Sequence, residues 1–221
     1  MPDPIPIILL PGLGLDDRLY ALQKVEFPGI RVPAWLPPEY FESLADYARR
    51  MAQAVDPGGP CFVGGMSFGG MVALEMSRHL DCRGCLLIST VRSPQELPYW
   101  AKFLAPWAWI LPPRADLVAA VAGTLLLWTI GRVFPPRWKL FCLHLSRTRA
   151  PIMPWACRAV VSWKPSPVTC PVYQIHGDSD PILPHRLTQS DLVIPRAGHL
   201  LPLSHPFVIT ELLRRVVNGA K

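Results

Sequence analysis

The sequence predicts an α/β protein: a mostly parallel sheet of about six strands with helices on both faces and an inserted helical cap. Three observations predict it. Short apolar runs such as residues 5–10 lack the polar alternation of a half-exposed strand and suit parallel strands buried on both faces. These runs alternate with segments of helical periodicity, the pattern of strand–helix–strand units. Between residues 92 and 167 the alternation breaks down into a stretch rich in tryptophan and proline.

The elements follow in order. Residues 5–10 form the first strand and end at Pro11-Gly12-Leu13-Gly14, with a helix start near Asp16-Asp17-Arg18. Residues 30–35 form a second, weaker strand that ends at Pro37-Pro38. Ser43 caps a helix to about Val55, because Leu44, Tyr47, Ala48, Met51 and Val55 recur at helical spacing. The breaker Asp56-Pro57-Gly58-Gly59 leads into the short strand 60–64, and a helix from Gly70 to about Leu80 precedes a strand at 84–90. After the insertion come the apolar runs Val172-Tyr173-Gln174-Ile175 and Val193-Ile194.

Composition narrows the class. A chain of 221 residues is one domain with room for a full core. Half its residues are apolar and 17% are charged, which excludes a disordered protein. The net charge of +6 is spread over Arg49-Arg50, Arg147, Arg149 and Arg214-Arg215, so it reads as a solvated surface and not as a nucleic-acid footprint. Met1-Pro2-Asp3-Pro4 runs straight into a strand without a basic leader, which predicts a cytoplasmic protein. Residues 117–131 are uncharged, but 15 residues fall short of the roughly 20 that cross a bilayer. They read as a cap helix, with interfacial contact with lipid as the alternative. The segment Cys82-Arg83-Gly84-Cys85 has no second pair spaced to complete a zinc site, and the six cysteines read as core or loop thiols.

Gly65-Met66-Ser67-Phe68-Gly69, set between a strand and a helix, is a nucleophile-elbow pattern. Two further segments follow strands: His176-Gly177-Asp178-Ser179-Asp180, and Gly198-His199 after the last apolar run. With serine, acid and histidine in that order, the chain resembles a small α/β-hydrolase of the esterase/thioesterase type, over nearly its whole length and least in the middle third. The family usually has eight strands; here the leading antiparallel pair is missing.

The resemblance implies roles. Ser67 is the nucleophile and needs a base to take its proton. His199, the one histidine that follows a glycine in the loop after the last strand, is that base. His176 reads instead as a structural residue at a strand end. The family's H-G-x-x-D pattern puts the orienting acid at Asp180, with Asp178 as the rival in the same turn. The backbone N–H groups of Phe68 and Leu13 form the oxyanion hole, although Leu10-Pro11-Gly12 stands where the family commonly has His-Gly. No phosphate loop, dinucleotide fingerprint or metal-ligand cluster is seen, so no cofactor or metal is expected. The expected substrate is a small-molecule ester. Thioester cleavage, acyl transfer and a non-catalytic ligand-binding receptor on the same scaffold are the alternatives.

Overall fold

Six strands form one all-parallel sheet in the order β2-β1-β3-β4-β5-β6. They are β1 (Ile7–Leu10), β2 (Ile30–Arg31), β3 (Cys61–Met66), β4 (Cys82–Ile88), β5 (Val172–Gly177) and β6 (Leu192–Ile194). The computed structural model describes residues 4–39, 41–99, 101 and 152–219. The expected cap falls mostly outside these residues, including the whole apolar run 117–131. Only its two roots are described: residues 92–99 with 101, and the stretch from Ile152 onward.

The apolar runs alternate in direction along each strand. Ile8 and Leu10 of β1 join one core cluster, and Ile7 and Leu9 join the other. The first cluster packs under α2 (Leu44–Val55), α3 (Phe68–Met76) and α4 (Ile152–Val161). The second packs under Leu19 and Tyr20 of the turn before α1 (Ala21–Glu26) and under α6 (Pro206–Val217), with the short α5 (Leu201–Ser204) beside it. Both faces of the sheet are therefore covered, which is why its strands are mostly apolar, with buried Gln174 and His176 of β5 as polar exceptions.

Local signals explain the helix boundaries. The Ser43 side chain accepts from the Asp46 N–H at 3.1 Å and caps α2, whose Leu44, Tyr47, Ala48 and Met51 are buried as the periodicity requires. The second strand is shorter than the expected span of residues 30–35. Pro33 has no N–H to give to a ladder, and pairing stops at Arg31. The fourth strand begins and ends two residues earlier than expected, and α3 stops at Met76, short of Leu80.

Candidate active site

Ser67 ends β3 and opens α3 with φ 55° and ψ −126°, a backbone state foreign to L-residues other than glycine. Such strain costs about 1–3 kcal/mol and survives only where the surroundings fix it. Here the Ser67 N–H donates to the Ile88 carbonyl at 3.0 Å, and the Ser67 carbonyl accepts from Thr90 Oγ1 at 2.6 Å and from the Gly70 N–H at 2.9 Å. The chain also crosses itself closely at this turn. A Cβ on Gly65 would lie 2.5 Å from the Gly69 carbonyl carbon, and one on Gly69 would lie 2.3 Å from the Pro11 oxygen.

The loop after β1 passes against the same turn. A Cβ at Gly12 would lie 3.6 Å from the Ser67 Cβ. Leu15 N–H closes the turn onto the Gly12 carbonyl at 3.0 Å, with Gly14 at φ 75° in its third position. Among the described residues, neither the Leu13 nor the Phe68 N–H donates a hydrogen bond. Phe68 holds one of the amides that a helix's first turn leaves without an internal acceptor.

Asp180 follows β5 and His199 follows β6, so both lie at the carboxyl ends of the strands, as Ser67 does. The two are buried, and His199 Nδ1 lies 2.7 Å from Asp180 Oδ2. Asp178 is exposed and accepts from Ser179 Oγ at 2.7 Å. The acid turn and the histidine loop are pressed together: a Cβ on Gly177 would fall 2.2 Å from the Ala197 oxygen, and Ser179 N–H donates to that same oxygen at 3.0 Å. Asp180 Oδ1 accepts from the N–H groups of Ile182 at 2.8 Å and Leu183 at 3.0 Å. Burial opposes charge on this carboxyl most strongly. Hydrogen bonds from His176 and His199, the charge of His199 and the Leu183 amide together outweigh it and hold the group well below the usual carboxylate range.

The structure thus joins His199 to Asp180, and among the described residues no hydrogen bond joins Ser67 to His199. A carboxylate on Nδ1 fixes the tautomer of an imidazole and leaves Nε2 as the nitrogen able to take a proton. One contributor escapes a reading of the sequence: Thr90 pins the Ser67 carbonyl from the end of the neighbouring strand. His176, read from the sequence as a structural residue at a strand end, is fully buried and puts Nε2 3.1 Å from Asp180 Oδ2 and 2.6 Å from the Leu183 carbonyl.

Aromatic side chains back the elbow. The Phe68 ring meets Trp35 at 5.5 Å and, edge-on, Trp155 at 5.8 Å, while Tyr47 lies 4.4 Å from Trp155. Trp155 belongs to α4, the returning root of the insertion, and its indole N–H donates to the Glu42 carbonyl at 2.9 Å. Among the described residues, no group of three or more His, Cys, Asp or Glu is arranged to hold a metal ion, and no helix is long and apolar enough to cross a membrane.

Comparison with known proteins adds to this geometry. The profile of the alpha/beta hydrolase family matches residues 7–211. A thermophilic esterase from Thermogutta terrifontis, solved with malate bound, shares 21% identity at a TM-score of 0.67, covering 98% of this chain and 90% of that one. The type II thioesterase BorB from the borrelidin biosynthetic cluster shares 19% identity at a TM-score of 0.61, covering 98% and 94%. Likenesses this distant are likenesses of fold. Among curated proteins, the non-reducing polyketide synthase atnG of Arthrinium sp is 37% identical over 95 residues, which are 41% of this chain. The match spans 5% of the synthase's length.

Proposed function

Since this chain belongs to the alpha/beta hydrolase family, we propose that it hydrolyses carboxylic esters through an acyl intermediate on Ser67. The observation that carries this reading is the strained Ser67 at the carboxyl end of a central strand, with the buried His199–Asp180 pair at the same edge of the sheet. In this mechanism His199 Nε2 takes the Ser67 proton as Oγ attacks the ester carbonyl, while Asp180 holds Nδ1. The N–H groups of Leu13 and Phe68 stabilise the oxyanion, each by about 3 kcal/mol. The proton then passes from His199 to the leaving alkoxide. A water molecule, deprotonated by the same imidazole, attacks the acyl-serine and releases the acid.

The same groups would cleave a thioester, a second reading favoured by the structural likeness to a type II thioesterase. The natural substrate on this proposal is a small uncharged molecule with an apolar acyl or alcohol part. The test is turnover of p-nitrophenyl esters of increasing chain length beside matched acyl thioesters. Ser67→Ala is expected to remain folded by circular dichroism and to lose at least three orders of magnitude in kcat. A folded Ser67→Ala that keeps a tenth of the wild-type rate would overturn the assignment, and thioester kcat/KM well above ester kcat/KM would select the second reading.

A further inference from the structure

The segment Cys82-Arg83-Gly84-Cys85 has no part in the chemistry above. Side chains three apart on a regular strand point to opposite faces. The β3–β4 register, however, steps from Cys61 opposite Cys82 to Phe62 opposite Gly84. Arg83 is the extra residue of this bulge, and it turns Cys82 over to the face of Cys85. Both thiols therefore lie with Cys61 under α2 and α3. A fourth comes from the segment just ahead of β5. Cys170 stands two residues before Val172, the partner of Cys85, and it packs against the same cluster. The Cys85 N–H donates to the Pro171 carbonyl at 2.8 Å, which locks this register.

Three thiols of β3 and β4 and one from just ahead of β5 thus gather toward the amino ends of the strands, at the edge remote from Ser67. They are not arranged to hold a metal ion. Cys61 and Cys85 are buried, whereas Cys82 and Cys170 are half-exposed. The neighbouring Cys170 sulfur, helped by burial, pushes the Cys82 thiol up. The bond from Cys82, helped by one from Ser77, holds Cys170 below the ordinary thiol range against the effect of burial. Counting back from Cys85 opposite Val172 puts Cys170 level with Arg83, one residue from Cys82. At about 4.8 Å between strands and about 3.3 Å along one, that offset stays inside the Cα separations of roughly 4.4–6.8 Å that a disulfide spans.

We propose that Cys82 and Cys170 form a reversible intrachain disulfide by exchange with a small-molecule disulfide. The Cys170 thiolate attacks one sulfur of that oxidant and expels its other half as a thiolate, leaving a mixed disulfide on Cys170. Cys82 sulfur then attacks the Cys170 sulfur, and its proton leaves with the second expelled half. Two protein thiols are oxidised and one small disulfide is reduced to two thiols. The new bond closes a loop that holds β4 and the whole insertion.

The test treats the full folded chain with glutathione disulfide, quenches with N-ethylmaleimide and maps the peptides without reduction. The expected result is a mass loss of about 2 Da, carried by one Cys82–Cys170 cross-linked peptide and reversed by dithiothreitol. Under the same treatment Cys82→Ser is expected to hold a glutathione adduct on Cys170. A wild-type chain in which Cys170 stays unmodified, or in which the cross-link joins Cys82 to Cys85, would overturn the proposal. The wild-type map decides the matter even if the variant does not fold.

Discussion

His176 and His199 converge on one atom, Oδ2 of Asp180, at 3.1 Å and 2.7 Å. His176 Nε2 faces two acceptors, this oxygen and the Leu183 carbonyl, so that nitrogen carries the proton and the imidazole donates forward to both. Its Nδ1 is buried with no partner among the described residues. Asp180 is thus held from three sides, by His176, His199 and two backbone amides, while Asp178 two residues earlier faces solvent.

The first prediction follows from that asymmetry. Asp180→Asn is expected to lower ester kcat by about 10³ to 10⁴, because an amide in place of the carboxylate allows the wrong tautomer of His199. Asp178→Asn is expected to stay within about threefold of wild type, as befits an exposed turn residue. Side-by-side kcat values check both, and the reverse ranking would refute the assignment of the acid.

His176→Leu fills the same space with no donor. The Leu183 carbonyl then loses its bond and Asp180 loses one of its anchors, at about 1–3 kcal/mol of folding stability. With the carboxylate less firmly placed, kcat is expected to fall about tenfold while KM stays put. Urea unfolding and steady-state kinetics on the same preparation read the two effects. A change in KM alone would place His176 in substrate binding and contradict this.

Trp163 and Glu75 form a second buried pair, with the indole N–H donating to Oε1 at 2.6 Å. It ties the segment after α4 to α3, far along the helix from Ser67. Trp163→Phe keeps most of the ring and removes only the donor, leaving a buried carboxylate short of one bond. A loss of about 1–3 kcal/mol is expected in urea unfolding, with ester kcat within twofold. No loss of stability would mean that Arg78, 3.7 Å from Glu75, compensates fully.

The depressed carboxyl of Asp180 also predicts an acid response. Its folded value lies below its unfolded value of about 3.9, so the stability it contributes is fully present above that value. That contribution fades as pH falls through 4 toward the lower folded value. Asp180→Asn has no such group to protonate. The stability gap between wild type and variant should therefore be widest between about pH 5 and 7 and shrink below about pH 4. Urea midpoints across that series measure it, and a gap that widens on acidification would reverse the sign argued here.

Much of this arrangement can be read from residue order, because the elbow and the capped α2 are local patterns. Gly65 against Gly69 and Ser43 on Asp46 act within a few residues of themselves, whereas the close approach of Gly69 to Pro11 comes from the distant loop after β1. The shortened β2 was signalled by Pro33, but a hydrophobic run alone argues for a longer strand. What escaped the sequence depends on register and on turns. Arg83 bulges out of β4 and carries Cys82 to the face of Cys85, which no periodicity of cysteines reveals. His176 reaches Asp180 because the turn after Gly177 folds back, and the pairing of Glu75 with Trp163 joins residues 88 positions apart.

The seam between β4 and β5 has a kinetic consequence. Cys85 through Ile88 pair with Val172 through Ile175, so roughly eighty residues of chain must be spanned before the first of these bonds can form. The longest of the other neighbouring pairs, β1 against β3, joins Ile7 to Phe62, 55 positions apart, and the rest are shorter. The amino-terminal half, with Ser67, can assemble from contacts of shorter range than this seam. The half with Asp180 and His199 must then dock against it across a long loop, a slow search by its topology. Refolding should therefore restore part of the helical signal before it restores turnover, with the recovery of activity marking closure of this one seam.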